Sequence, residues 1–389
     1  MKNRWIALAA GCLIQTILGG IYAWSTFVPY LMKTHDLNAG QCGLIFGVTI
    51  LTFTLSMILS GWVLTKIGAR MTAGIAAVLF MSGYLLASFS GNSFLLLLLG
   101  LGGIAGMGIG FGYVCPLSVA MKWFPEKKGM VTGVAVAGFG AGAVLLSSIA
   151  ERLLLGGMNV LLFFRWFGIC SGAMLLFAAF LLVEPTASKT NTRSAHSFSI
   201  VFTWPFFVLA MGMFAGTFAG LLIIGHLTPL VMKAGLSERE AAISVSIFAV
   251  GNAIGRIIWG KACDHLGHKT IPLSLFSFAL TTGLLLIPLP KAALIFTMGL
   301  LGFGFGANFV VYASSISRHF GAISFPRLYP LCFLAYGLAG FIAPGVGGYL
   351  ADKTNSYDIP LSISIAMVAF AGVLSYIKIN GGKTFDQDL

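Results

Sequence analysis

Arg256 sits in a long apolar run, with no acidic residue within four positions on either side. A guanidinium stays charged and presents a planar fork that matches a carboxylate with two parallel hydrogen bonds. An anion site is therefore the chemistry to look for. Asn252 lies one helical turn earlier on the same face and can add a neutral amide hydrogen bond. A small organic acid also needs walls. Tyr22, Trp24, Tyr113, Phe305, Phe309, Tyr312 and Tyr336 all fall at mid-span depth; aromatic rings pack against a carbon skeleton, and tyrosine hydroxyls reach oxygens. His226, in Gly225-His-Leu-Thr-Pro229, adds the side-chain type that changes charge near neutral pH. It is a candidate to carry a proton or to bond an entering acid. Each residue has a plainer reading as well. Arg256 can snorkel toward Asp264 or donate to backbone carbonyls, the aromatics can be core packing, and His226 can be a neutral hydrogen-bonded bridge between helices.

The elements that must position these groups follow from composition. Of 389 residues, 58% are hydrophobic and 9% charged, against about a quarter charged in soluble domains. Apolar stretches recur that reach the roughly 18–20 residues needed to cross a hydrocarbon core of ~30 Å. The alternating pattern of a transmembrane barrel is absent, which leaves helices as the elements that satisfy their own backbone. Twelve spans are expected, at 5–30, 40–63, 71–90, 93–119, 129–150, 166–183, 204–232, 240–262, 271–289, 292–317, 326–350 and 359–379. The first is too long for a signal peptide and lacks a clear small-residue cleavage site, so it is kept as a structural helix. Placing both termini in the cytoplasm puts 15 basic residues on inner segments and 7 on outer ones. The positive-inside rule favours that orientation. It also accounts for most of the net charge of +12 without nucleic acid as a partner. Arg256 remains as the basic residue far from either interface, roughly 24 Å from Glu240 and 12 Å from Asp264 at 1.5 Å per residue. An arginine there costs at least ~2.5–3.5 kcal/mol on insertion scales, so it should face protein or water and have a use.

Several chemistries are not expected. The six cysteines (Cys12, Cys42, Cys115, Cys170, Cys263 and Cys332) are scattered without a C-x-x-C pair and read as small packing residues. No metal or cofactor follows. The sequence has no H-E-x-x-H, no G-x-S-x-G and no paired intramembrane acids, so an enzyme is not expected either.

The chain repeats itself. Gly61 to Arg70 matches Gly260 to Lys269 at a displacement of 199, keeping both glycines and the terminal base. Val28 to Lys33 matches Thr228 to Lys233 at 200, and Gly108 to Val114 matches Gly304 to Val310 at 196. Three matches in order at nearly one displacement mark a duplication. Residues 1–183 and 204–389 are then two six-helix bundles, and the polar stretch 184–203, with Pro185, Lys189 and Arg193, is a cytoplasmic linker.

A parallel 6 + 6 duplication resembles the plan of the major facilitator superfamily. The two matched segments, Gly61 to Arg70 and Gly260 to Lys269, resemble its cytoplasmic signature loop. The resemblance implies an all-α membrane protein with twelve transmembrane helices, both termini cytoplasmic, and a cytoplasmic gate involving Asp264 and Arg70. Thr65 stands in the first copy where Asp264 stands in the second, a departure from the family's charge latch. Runs such as Gly100 to Gly112 and Gly133 to Gly142 fit close helix packing; with no preceding strand and no following Lys-Ser/Thr they do not read as phosphate loops.

A narrower resemblance covers nearly the whole chain. Tyr22-Ala-Trp24-Ser, Gly112-Tyr113 leading into Lys122-Trp-Phe-Pro-Glu-Lys-Lys-Gly129, and Asn252 through Arg256 and Gly260 to Asp264 are similar to the monocarboxylate and oxalate–formate antiporter branch. It implies transport of small carboxylates such as lactate, pyruvate or formate by alternating access, with Arg256 on the carboxylate. The residues it implies around the substrate are Arg256, Asn252, Tyr22, Trp24, Tyr113, Phe305, Phe309 and Tyr336, with His226 the candidate for proton coupling. Asn252 stands where proton-coupled relatives can carry an aspartate, and Tyr336 where dianion carriers place a second cation. One carboxylate per substrate is the expectation, with proton symport preferred to anion exchange. A bacterial plasma membrane and a functional monomer complete it. The rivals are drug efflux, which generally needs a buried carboxylate absent here, and a carboxylate sensor, for which no appended soluble domain exists.

Overall fold

In a computed structural model of the protein, the described residues are 2–185 and 198–380. They form an all-helical chain. Its helices are α1 (Lys2–Leu18), α2 (Trp24–Thr34), α3 (Ala39–Ser88), α4 (Phe94–Leu97), α5 (Gly106–Trp123), α6 (Lys128–Leu155), α7 (Val160–Leu181), α8 (Trp204–Lys233), α9 (Glu238–Leu266), α10 (Thr270–Gly283), α11 (Lys291–His319), α12 (Gly321–Thr354) and α13 (Asp358–Asn380). Ten helical stretches among the described residues are long and apolar enough to cross a membrane. The linker expected at 184–203 lies largely on residues 186–197, outside the described residues; Phe198–Phe202 is a short 3₁₀ turn leading into α8.

Local chemistry starts and stops the helices, and does so twice over. Asn38 accepts from the Gln41 amide at 2.8 Å while Gln41 reaches back to the Asn38 amide at 2.9 Å. Ser237 and Glu240 build the same reciprocal capping box 199 residues later. The two spans expected at 40–63 and 71–90 run on as α3, kinked at Gly68, where φ is +82°. Its repeat partner, Gly267, ends α9 with φ +58°. Both have the positive φ that glycine enters without steric cost, so the first expected loop is a single-residue kink and the second a three-residue 3₁₀ turn, Gly267–Lys269.

By internal packing the chain divides into two units, one taking in Met1–Pro125 and Ala135–Thr190, the other Glu126–Val134 and Asn191–Leu389. In the first unit α5 lies tight on α3. A Cβ at Gly110 would run into the Phe53 carbonyl oxygen and lie 3.0 Å from the Met57 nitrogen. In the second unit α11 lies on α9 in the same way, and a Cβ at Gly306 would run into the Asn252 carbonyl oxygen and lie 3.1 Å from the Arg256 nitrogen. Glycine is what lets these backbones touch. One feature breaks the parallel: Leu98–Ala105, before α5, is a π-helix, whereas the corresponding part of α11 is regular. Thr49 and Thr52 on α3 donate to the carbonyls of Leu101 and Gly102 in that π segment, at 3.5 and 2.5 Å.

Candidate functional site

The α9–α11 crossing in the second unit carries the central group. Arg256 is 1% exposed. Its Nε donates to Asn252 Oδ1 at 3.1 Å, and its guanidinium carbon lies 4.5 Å from the centroid of the Phe309 ring. The hydrogen bond fixes the plane of the fork from one side, and the ring face supplies a cation–π floor. Phe309 is in turn wedged edge-to-face against Phe305 at 5.2 Å and Tyr336 at 5.5 Å. Five of the sequence-predicted residues, Arg256, Asn252, Phe305, Phe309 and Tyr336, therefore form one contiguous cluster. Asn252 has a more specific task than the sequence reading gave it. Its oxygen orients the arginine.

Tyr22 and Tyr113 belong to the first unit, and both pack edge-on against Phe139, at 5.5 and 5.3 Å. Phe53 closes the group, 5.4 Å from Tyr113. Trp24 does not join them. The 3₁₀ turn Gly19–Ala23 changes the phase of the chain between Tyr22 and Trp24, and the indole Nε1 donates to the Cys42 carbonyl at 3.0 Å instead. There Trp24 lines a small internal cavity with Phe27, Tyr84 and Phe164. His226 also stands in a cluster of its own: its Nε2 donates to the Pro344 carbonyl at 2.8 Å, and its ring is 5.6 Å from that of Tyr357.

The two gate candidates behave differently. Asp264 Oδ1 accepts from the Gly129 amide at 2.8 Å and from Arg318 Nη2 at 2.7 Å, while Oδ2 accepts from the Met130 amide at 2.8 Å. The carboxylate thus caps the first turn of α6, where unsatisfied amides and the helix dipole favour an anion. All of these partners lie in the second unit. Arg70 is in the first unit, exposed, with its guanidinium 5.0 Å from the Phe180 ring. Sequence reasoning missed Arg318 as the partner of Asp264, because it reads there as one more inner-facing charge. It also missed Gln15, a buried amide in the first apolar span, although a lone amide in such a run is itself a signal.

The family model of the Major Facilitator Superfamily matches residues 8–344. The chain belongs to the Major Facilitator Superfamily. It is accordingly a multi-pass membrane transport protein and not an enzyme. It is 25% identical over 390 residues to the oxalate:formate antiporter of Oxalobacter formigenes, covering 95% of this chain and 91% of that protein. It is 27% identical over 418 residues to monocarboxylate transporter 2 of Mesocricetus auratus, covering 96% and 83%. Among solved structures it superposes on the superfamily transporter FucP in the outward conformation with a TM-score of 0.75, at 16% identity, over 98% of this chain and all of that one. The branch resemblance read from the segments around Tyr22, Tyr113 and Arg256 stands with these relatives.

Proposed function

We propose that this superfamily member is a secondary active transporter of small monocarboxylates of the lactate, pyruvate and formate type, working by alternating access with a coupled proton. The observation that carries the reading is the cluster around Arg256: a buried guanidinium oriented by Asn252 and floored by Phe309. The fork presented by its Nη groups is matched to a carboxylate. Phe305 and Tyr336, with Tyr22, Trp24 and Tyr113, are the further residues assigned to the substrate, and His226 is assigned to the proton. Asp264 and Arg70 are assigned to the cytoplasmic gate. A second reading, exchange of one carboxylate for another, is supported by the antiporter relative aligned over 95% of the chain.

The same reading takes the two longest apolar stretches, Gly40–Ser88 of 49 residues and Arg239–Leu286 of 48, as two crossings each. At 1.5 Å per residue each is about 72 Å long, more than twice the ~30 Å core, and each contains one of the glycine kinks. Twelve crossings result, with residues 1–183 and 204–389 as the two bundles, 184–203 as the linker and both termini in the cytoplasm. The excess of basic residues on inner segments supports that orientation. A bacterial inner membrane and a monomer complete the proposal.

Purified protein in liposomes tests it. Labelled lactate, pyruvate and formate should accumulate, faster with an inward proton gradient, and Arg256→Lys should reduce uptake about a hundredfold. Full-rate uptake by Arg256→Lys would remove the arginine anchor. Uptake that ignores the gradient but requires an internal carboxylate would replace symport with exchange, and His226→Ala indistinguishable from wild type at every pH would remove histidine from the coupling.

A further inference from the structure

Three departures from regular, close-packed helix meet inside the first unit. The first is Leu98–Ala105, wound as a π-helix between α4 and α5. At its end the Gly106 amide passes over the Gly102 carbonyl, which would be its partner in an α-helix, and donates to the carbonyls of Leu101 and Gly103 instead. A donor for Gly102 comes from α3: Thr52 Oγ1 lies 2.5 Å from that oxygen. Gly106 leaves room for this approach, because a Cβ there would run into Thr52 Oγ1. The second departure is the 3₁₀ turn Gly19–Ala23. The third is empty space. Gly20 and Ile21 of that turn and Leu101 and Ala105 of the π segment line, with Trp24 and Thr49, a cavity of about 20 Å³. That is room for about one water and too little for a solute.

The matched crossing in the second unit is built otherwise. At the 199-residue displacement Thr52 is answered by Gly251, where a Cβ would run into the Gly299 carbonyl, and α11 is regular over Lys291–His319. The hydroxyl and the π segment are thus present together in one copy and replaced together in the other. Thr52 also has a choice of acceptor. Its oxygen lies 2.9 Å from the Val48 carbonyl, the i−4 bond that a threonine makes within its own helix. A hydroxyl has one proton to give. Given to Gly102, it supplies the donor that the π register withholds; returned to Val48, it leaves Gly102 to the Gly106 amide, which is the α register.

We infer that Leu98–Ala105 is a two-state hinge of the transport cycle, π-wound in this structure and α-wound in the alternate state, with the Thr52 hydroxyl as its catch. It works whichever solute the protein carries. Conversion keeps the Gly102 carbonyl paired throughout, so the two forms stay close in energy. The cavity gives Leu101 and Ala105 room to shift as the segment tightens. Irregular turns inside otherwise regular helices are where such hinges are found.

Hydrogen–deuterium exchange of the full chain in detergent, followed on peptides covering residues 98–106, tests the hinge without reference to the cargo. In the wild type this stretch should exchange several-fold faster than its repeat counterpart, residues 294–302, since each conversion frees its amides. Thr52→Val keeps the shape of the side chain and removes the donor. It should tip the segment to the α register and slow its exchange toward that of 294–302, while Thr52→Ser stays at the wild-type rate. A static π-helix predicts the opposite sign, because Thr52→Val would then remove a bond and speed exchange; that result overturns the inference, as does wild-type exchange no faster in 98–106 than in 294–302. Uptake into proteoliposomes gives the second readout. Each turnover passes through both forms, so Thr52→Val should lower the maximal rate about fivefold, the weight of one net hydrogen bond, with the half-saturation concentration and the unfolding temperature little changed and Thr52→Ser restoring the rate. A wild-type maximal rate in Thr52→Val separates the segment from transport and overturns the hinge. Absence of uptake for lactate, pyruvate and formate by the wild type removes the carboxylate reading alone, and the exchange measurement then decides the hinge.

Discussion

Met57 and Arg256 occupy the same place in the two copies of one helix crossing. Each is buried to within 1% of fully, and each has its backbone nitrogen about 3 Å from where a Cβ on the matching glycine, Gly110 or Gly306, would sit. One turn earlier, Phe53 in the first copy answers to Asn252 in the second. The scaffold therefore closes this crossing with a thioether and a phenyl ring in one half, and with a guanidinium and an amide in the other. Since methionine suffices for packing, the arginine is retained for something packing does not need. Burying it costs several kcal/mol unless its surroundings compensate.

The sharpest way to break this comparison is to make the second copy like the first. Arg256→Met should lower carboxylate uptake to the level of protein-free liposomes, a loss of more than about a hundredfold, because an anion then meets an apolar wall. The same variant should unfold at the wild-type temperature or above it, since the desolvation of ~2.5–3.5 kcal/mol or more is no longer incurred. A thermal unfolding scan in detergent beside the uptake assay checks both halves. A variant that loses uptake because it is destabilised by several kcal/mol would make Arg256 a structural residue.

The cytoplasmic turns offer a second contrast, with a smaller effect. In the second copy Asp264 holds two α6 amides and Arg318; in the first, Thr65 at the matched position donates its hydroxyl to the Trp62 carbonyl at 2.8 Å, within its own helix. The start of α12, the repeat counterpart of α6, has no side-chain cap. Asp264→Ala should therefore cost about 1–3 kcal/mol of stability through two orphaned amides and an unanswered arginine, and slow uptake about tenfold. Thr65→Ala should change either quantity by less than a factor of two. Equal effects would mean that the gate is symmetric after all.

How much of this was legible in the sequence depends on what kind of signal each residue carries. The helices, the repeat and the arginine were legible because apolar runs, a fixed displacement and a charge in the wrong medium are properties of the chain itself. The turns at Gly68 and Gly267 were located but read as loops, since a glycine at positive φ, alone or opening a short 3₁₀ turn, can do what a loop does and composition does not distinguish the two. Trp24 was grouped with Tyr22 because both fall at mid-span depth in the first apolar run; the 3₁₀ turn at Gly19–Ala23, which a regular 3.6-residue count does not contain, ends between them, and the indole donates to the Cys42 carbonyl. Arg318 and Gln15 depend on which residue lies opposite, and that is set by tertiary pairing. No periodicity in α1 or α11 reports it.

The mildest test concerns the ring under the arginine. Phe309 is matched by Tyr113 at the 196-residue displacement, and Phe309 has the guanidinium of Arg256 over its face, at 4.5 Å. A desolvated cation–π contact is worth about 0.5–2 kcal/mol. Phe309→Leu should therefore raise the half-saturation concentration for a monocarboxylate about three- to tenfold, with the maximal rate changing less, because the fork loses its floor and no longer holds one plane. Phe309→Tyr keeps the aromatic face and should stay within a factor of two of wild type. Measuring both in the same proteoliposome assay separates the face from the volume. If Phe309→Leu also stays within a factor of two, the ring only fills space and does not hold the plane of Arg256.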